Sequence, residues 1–401
     1  GAASPGASPS GALPSAAVSP APIRAVDAPS PAAAAPVTTH PEALGLSPAK
    51  LAALDAVFAK GGRGYVDGML VMRHGKVAYD RRYDHDFEAL FVGKDPVRGP
   101  YNYYDPDWHP WYRKSDMHTL QSVTKSITSA LIGIAIGRGE IPDVDVPVMS
   151  YFDAAKVANL DARKKRITLR DLLTMTAGFK WDEDSVPYTD KANSCAAMEA
   201  SADWARYVID RPMEHDPGKV FRYSSGVSEL LAHILYKATG RQADEYAAEH
   251  LFTPIGIDRF YWKRTPTGLP DTEGGLYLTR ADLARFGALY LHDGVWQGRR
   301  VLPEGWVAET MRPRSDPKMS DLPGVRYGYQ WWLMPWGDAR AMASGKAKHT
   351  AWTCWGYGGQ FLFVVPERDL IAVFNGWNIY DRPELDPKWA LGQLLSAVVK
   401  P

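Results

Sequence analysis

The sequence predicts an α+β protein, α/β in the broad sense: one antiparallel sheet built from both ends of the chain and flanked by helices, beside a mainly helical region. Three observations predict it. "GMLVMRHGKVAYDRRYD" (68–84) is a pair of strand-like runs joined at His74-Gly75, which is a hairpin signal. "GGQFLFVVPERDLIAVFNGW" (358–377) is a second pair, turning at Pro366 to Asp369. The residues between the two pairs read mostly with helical periodicity. The sheet is therefore assigned to 64–115 and 320–401 and the helical region to roughly 140–310, with a cleft between them.

Taken in order, residues 1–43 are Ala, Pro and Ser with almost no large side chains. They cannot bury enough surface to offset their ordering entropy and read as a disordered tether. Tethers of this composition commonly follow an export signal, so an extracytoplasmic location is expected, periplasmic or secreted. The folded domain is assigned to 44–401. Ser47-Pro48 is an N-cap with proline at the first helical position, and Leu51, Leu54, Val57 and Phe58 form one apolar face before Gly61 and Gly62. The first strand pair follows. "QSVTKSITSALIGIAIGRG" (121–139) reads as a buried helix, apolar nearly all round from Ile127 to Ile136. "FRYSSGVSELLAHILYKATG" (221–240) is a turn entering another helix, with Leu230, Leu231, Ile234 and Leu235 on its apolar side. After the second strand pair a terminal helix carries Trp389, Leu394, Leu395 and Val398 on a shared stripe.

Several function classes drop out on composition. The 46 basic residues balance 46 acidic ones, and no basic run interleaved with aromatics marks a nucleic-acid surface. No stretch of about 18 apolar residues exists that would span a bilayer. Gly-rich phosphate loops and HExxH or CxxC spacings are absent, so neither metal nor cofactor is expected. The expected partner is a small-molecule substrate; oligomeric state is not legible. The ten histidines lack metal spacing, and no G-x-S-x-G elbow supports a Ser-His-Asp triad.

Chemistry is carried by Ser122 and Lys125. Residues i and i+3 share a helix face, so the lysine amine reaches the serine hydroxyl. A lysine whose pKa burial holds down can take the serine proton. Ser47/Lys50 and Ser315/Lys318 share the spacing but not the context. The first serine caps a helix, and the second lies in the proline-punctuated loop "RPRSDPK". A helix cap followed by a solvated lysine is the competing account of Ser122. Tyr223 and Ser225, at the entry of the later helix, supply a phenol to relay that proton and a hydroxyl to hold Lys125, or they are ordinary packing.

The motifs "SVTKSITSALIG", "ITLRDLLTMTAGFKWDED", "YSSG", "GGLYLTRADLARFGALYLHDGVWQGRRVLP" and "WGYGGQFLFVVPERDL", in this order, resemble the β-lactamase and penicillin-binding superfamily. The closest resemblance is to its class C-like branch of esterases and 6-aminohexanoate-dimer hydrolases. It runs from about Gly68 to the C-terminus and implies the β-lactamase/transpeptidase-like fold. It further implies Ser122 as acylated nucleophile, Lys125 as its partner and Tyr223 as general acid/base, with an oxyanion hole from the N–H groups of Ser122 and Tyr357. Gly356 would let the inner strand approach the substrate closely.

Departures from the family bear on the substrate. Where penicillin-directed members carry Lys-Thr-Gly, this chain has Cys354, Trp355 and Gly356. A lactam carboxylate thereby loses a charge-assisted bond worth roughly 1.5 to 3 kcal/mol. Ser225 stands where asparagine is usual. The extra tyrosine of the nylon-oligomer branch is replaced by Ser185, with Tyr188 three residues on. Asp182, Glu183 and Asp184 are either a contact for a substrate ammonium group or a solvated loop. Trp331 or Trp332 either walls the acyl pocket or belongs to the core. The expected activity is acyl-enzyme hydrolysis of small esters or linear amides. The alternatives are β-lactamase or D-alanyl-D-alanine peptidase activity and a catalytically silent binding domain. In this fold Cys195 and Cys354 border the cleft, either bridged across its rim or buried as two thiols.

Overall fold

A computed structural model of the chain describes residues 24–25, 38–83, 88–94, 116–378 and 384–400. The first expected strand pair is β2 (Val66–Arg73) and β3 (Lys76–Arg82), with β1 (Arg24–Ala25) lying upstream. His74 and Gly75 both have positive φ, 52° and 72°, the geometry of a two-residue turn matched to the twist of its strands. Next come β4 (His118–Thr119), β5 (Arg259–Trp262), β6 (Leu276–Leu278) and the ribbon of β7 (Val295–Trp296) with β8 (Arg299–Arg300). The C-terminal part supplies β9 (Arg326–Tyr327), β10 (Trp332–Trp336), β11 (His349–Gly356), β12 (Gln360–Val365) and β13 (Leu370–Gly376). Seven of these strands form one sheet in the order β3-β2-β13-β12-β11-β10-β9, with every neighbouring pair antiparallel. The sheet is thus assembled from both ends of the chain, and the α+β assignment holds.

The central strands read as continuous apolar runs because both faces are covered. Leu70, Met72, Leu362, Val364, Ile371 and Val373 pack toward the helical region, joined by Ile127 and Leu131 of the Thr124–Gly137 helix. The alternate residues Met69, Val71, Phe361, Phe363 and Phe374 pack against helices Pro48–Ala59 and Pro387–Ala397. On the last helix Ala390, Leu391, Leu394 and Ala397 are buried, and the other expected stripe residues, Trp389, Leu395 and Val398, pack partly buried against the same core. Trp389 lies beneath the Arg63 guanidinium, 4.0 Å from its ring centre.

One expectation changes. The tether over 1–43 lies mostly outside the described residues. Within it, however, Arg24–Ala25 pairs with β5 at the edge of a second sheet, ordered β1-β5-β6-β4, and Pro41–Leu44 forms a helical turn. Backbone hydrogen bonds on an open sheet edge need only extended chain, not large side chains. The region 140–310 is mainly helical and also holds β5, β6 and the β7–β8 ribbon. The smaller sheet places the site. β4 pairs with β6, and the Leu120 N–H donates to the Leu276 carbonyl at 2.9 Å, which brings residues 271–275 against the start of the Thr124–Gly137 helix.

Candidate active site

Residues 121–123 form one 3-10 turn that runs directly into the Thr124–Gly137 helix. Gln121, just before the serine, is held at φ 47°, a left-handed conformation that costs a non-glycine residue about 1 kcal/mol or more. Lys125 is 1% exposed, and its Nζ donates to Ser122 Oγ at 2.8 Å and to the Glu273 main-chain carbonyl at 2.8 Å. Its ammonium also stands 3.7 Å from Glu273 Oε2 and 5.2 Å from the centre of the Tyr223 ring. Tyr223 faces Lys125 and lines the same cleft as Ser122, and its ring stacks on Trp332 at 5.9 Å. Helix spacing and tertiary packing thus bring Ser122, Lys125 and Tyr223 into one unit.

The charge state of the lysine differs from the expectation. Burial by itself pulls Lys125 down, but Tyr223, Glu273 and Glu183 face it and outweigh the burial, so its ammonium is held well above the ordinary lysine range. Tyr223 is pushed up to about 12 by burial and by Glu183, against the pull of Lys125 and of its hydrogen bonds.

The serine opens into a cleft of about 390 Å³, the size of a small-molecule site. Its walls are aromatic, with Phe221, Tyr223, Trp332, Trp355, Tyr357 and Tyr188, and the charged groups lining it among the described residues are Glu183, Asp184 and Glu384. The two candidate tryptophans part company. Trp332 lines the cleft, whereas Trp331 is fully buried against Tyr290 at 4.6 Å and Phe286 at 5.9 Å, because consecutive residues point to opposite sides. Tyr188 lines the cleft and packs on Tyr357 with ring centres 5.3 Å apart. Ser185 is instead exposed and turns its hydroxyl back onto Asp182, a local turn bond that the fourth residue of "DEDS" makes readily.

The "WDED" segment is not simply a solvated loop. Glu183 is 2% exposed and accepts at both oxygens: Oε2 from the Trp181 indole at 2.6 Å and the Ser225 N–H at 2.7 Å, Oε1 from Ser225 Oγ at 2.8 Å and the Tyr188 hydroxyl at 3.0 Å. Four donors fill its lone pairs, leaving none for a substrate ammonium. Ser225 therefore holds Glu183 rather than Lys125. Asp184 lines the cleft at its exposed edge, where desolvation and Asp182 raise its carboxyl to about 6.

On the sheet side, a Cβ on Gly356 would come within 2.4 Å of the Leu120 carbonyl oxygen, so only glycine lets β11 lie this close to the serine turn. Tyr357, the next residue, lines the cleft. Cys354 and Cys195 are both free and buried, which corrects the bridged alternative. Cys195 lies by Glu199 and Glu273, at 3.8 and 3.9 Å, while Cys354 lies toward Ser126 and Tyr290, so each thiol has its own buried surroundings. The serines of the other two matches are engaged elsewhere. Ser47 caps its helix, and Ser315 donates to the Thr174 carbonyl. Sequence reasoning passed over Glu273, Phe221 and, as a wall of the cleft, Trp355. The one signal for Glu273 was an acid beside Gly274-Gly275 at the head of an apolar strand.

Comparison with known proteins matches residues 54–387 to the family described as β-lactamase. The 6-aminohexanoate-dimer hydrolase of Paenarthrobacter ureafaciens is 28% identical over 284 residues, covering 66% of this chain and 68% of that protein. Among solved structures, EstCE1, described as a hydrolase with promiscuous acyltransferase activity, superposes with a TM-score of 0.64 at 17% identity, over 88% of this chain and 99% of its own. A family VIII carboxylesterase gives 0.60 at 16% identity, over 87% and 95%.

Proposed function

The chain belongs to the β-lactamase family and is a serine hydrolase, and from that premise we propose that it hydrolyses small neutral carboxylic esters through an acyl-enzyme on Ser122. One observation carries the reading: a serine hydroxyl bonded at 2.8 Å to a buried lysine, at the floor of an aromatic cleft whose lining charges are acidic. Tyr223, as phenolate, takes the Ser122 proton while Oγ attacks the ester carbonyl. The ammonium of Lys125 steadies both oxygens, and the resulting phenol then returns the proton to the departing alkoxide. The N–H groups of Ser122 and Tyr357 are the proposed oxyanion donors, and the closeness that Gly356 permits supports them. Water then attacks the acyl-enzyme by the same relay in reverse.

Substrate choice follows from the lining. Asp184 and Glu384 repel a carboxylate, and Trp355 occupies the register where penicillin-directed relatives place a threonine after their lysine. Cephalosporins and the free linear 6-aminohexanoate dimer both bring a carboxylate. Ser185, turned onto Asp182, offers no phenol to assist amide cleavage. A hydrolysis panel of short p-nitrophenyl esters, the linear dimer and a chromogenic cephalosporin tests the reading. Ester turnover is expected to exceed the other two by at least about tenfold. Cephalosporin as the fastest substrate would overturn the substrate assignment, and no turnover together with no fluorophosphonate label on Ser122 would overturn the mechanism.

A further inference from the structure

Behind Lys125, on the side away from the cleft, lies a buried group of charges that the acylation chemistry does not itself use. The segment 271–275 is locked in place by four bonds. The Glu273 N–H donates to Glu229 Oε1 at 3.0 Å and to Asp271 Oδ1 at 3.1 Å, Gly274 N–H donates to Asp271 Oδ1 at 2.9 Å, and Thr272 Oγ1 donates to the Ser228 carbonyl at 2.9 Å. Thr128 of the catalytic helix donates to the Thr272 carbonyl at 2.9 Å, and Leu276 N–H to Thr124 Oγ1 at 3.2 Å. Glu273 is therefore fixed relative to Lys125 by both helices that make the site.

Around it stand the Glu199 carboxyl, within 4.8 Å of the Glu273 carboxylate, and the Cys195 thiol at 3.9 Å. Beyond them are Glu229, bonded to Asp271, and Lys263, 3.3 Å from Asp271 Oδ2. Glu183 faces Lys125 from the cleft side, and Tyr223 from across the ring contact. Five carboxyls and two ammoniums share one interior, and five negative charges cannot coexist there. Burial and the adjoining carboxylates push Glu199 and Glu229 far up, so these two carry protons and donate them to Glu273 and Asp271. The Glu273 and Asp271 carboxyls are the ones that meet Lys125 and Lys263, at 3.7 and 3.3 Å.

We propose that Glu273 is a positioning and charge-setting residue of the Ser122–Lys125–Tyr223 unit: its main-chain carbonyl fixes Lys125 Nζ, and its carboxylate, sharing a proton with Glu199, keeps that nitrogen an ammonium. The consequence is a division of labour. Lys125 serves as permanent electrostatic partner and Tyr223 as the proton carrier, so activity rises with pH as the unit loses its first proton. Removing the negative charge of Glu273 favours that loss and moves the rise to lower pH, whichever atom of the unit releases the proton.

This rests on the hydrolase reading, and the experiment separates the two. The pH profile of kcat/KM for a short p-nitrophenyl ester is measured from pH 6 to 10 for the wild type, Glu273→Gln, Glu273→Asp and Glu199→Gln. Glu273→Gln keeps the main-chain bond to Lys125 and removes only charge. Its rising limb is expected about one pH unit lower, which raises the rate on the rising part of the profile by up to about tenfold. Glu273→Asp restores the wild-type limb. Glu199→Gln replaces one neutral group by another and keeps the pair's single negative charge, so its limb stays with the wild type. A Glu273→Gln limb superimposed on the wild type, with only its height reduced, overturns the proposal. If that variant does not fold, NMR of side-chain-labelled lysine in the wild type decides: a Lys125 resonance that keeps its ammonium position through the rising limb supports the proposal, and one that titrates with the limb overturns it. A wild type with no ester turnover is a failure of the hydrolase reading instead.

Discussion

Ser122, Lys125 and Tyr223 act through one another, so their substitutions should not combine as independent losses. Ser122→Ala removes the nucleophile, and Lys125→Ala removes the cation that pulls the Tyr223 phenol down and hydrogen-bonds Ser122. Tyr223→Phe removes the proton carrier. Each is expected to reduce kcat by at least about a thousandfold while leaving the thermal midpoint within a few degrees. The double variant Lys125→Ala with Tyr223→Phe should be little worse than the poorer single, as groups working as a unit behave. Measured kcat/KM values that multiply would show that the two do not share one proton path. At this scale the Ser122–Lys125 contact was readable because helix periodicity fixes the distance between the two residues. Glu183 was not. Whether an acid three residues after Lys180 is solvated or buried under four donors depends on Trp181, Tyr188 and Ser225, which local pattern does not bring together.

Elements meet at the site through one residue, Gln330. Its carbonyl accepts from Ser126 of the catalytic helix at 2.6 Å, and its Oε1 accepts from Ser228 of the Ser225–Thr239 helix at 2.7 Å. Its Nε2 donates to the Leu172 carbonyl at 2.9 Å, and its N–H to that of Leu173, also at 2.9 Å. It is 2% exposed and held at φ 62°, which turns the chain so that Trp331 enters the core and Trp332 the cleft. Gln330→Ala strands the buried Ser228 hydroxyl and removes the side-chain donor to the Leu172 carbonyl, which keeps its main-chain bond from Met175 N–H. The expected loss is about 1 to 3 kcal/mol in chemical denaturation, together with reduced kcat, since the Ser225–Thr239 helix loses its bond to this junction while the main-chain bond to Ser126 remains. Unchanged stability would mean that the two groups find other partners. The "QWW" triplet hinted at this junction only through resemblance. Its bonds reach 102 to 204 residues away along the chain, beyond any local pattern.

Across the whole molecule the two thiols offer a direct check. Burial pushes both Cys195 and Cys354 well up, so neither is a ready thiolate. Native protein purified without reductant is expected to resist alkylation at both, and to show two reactive thiols once denatured. A single mixed product, or none, would point to a bridge that the structure does not contain. The thermal midpoint should likewise be insensitive to reductant. The four-stranded sheet was equally hidden from sequence. β4 and β6 are two and three residues long, too short to leave a period, yet their pairing is what carries Glu273 to Lys125.

By itself the sequence determined the helices, the two hairpins that build the main sheet from both chain ends, and the Ser122–Lys125 contact. Each of these depends on residues within a few positions of one another, where backbone period and turn chemistry decide the outcome. The ordered motifs added the family. Only the tertiary structure decided that Lys125 stays charged, that Ser225 serves Glu183, that Trp332 rather than Trp331 meets the cleft, and that the cysteines stay apart. Those outcomes depend on burial and on the field of distant charges. Both are sums over neighbours that the chain brings together only when it folds.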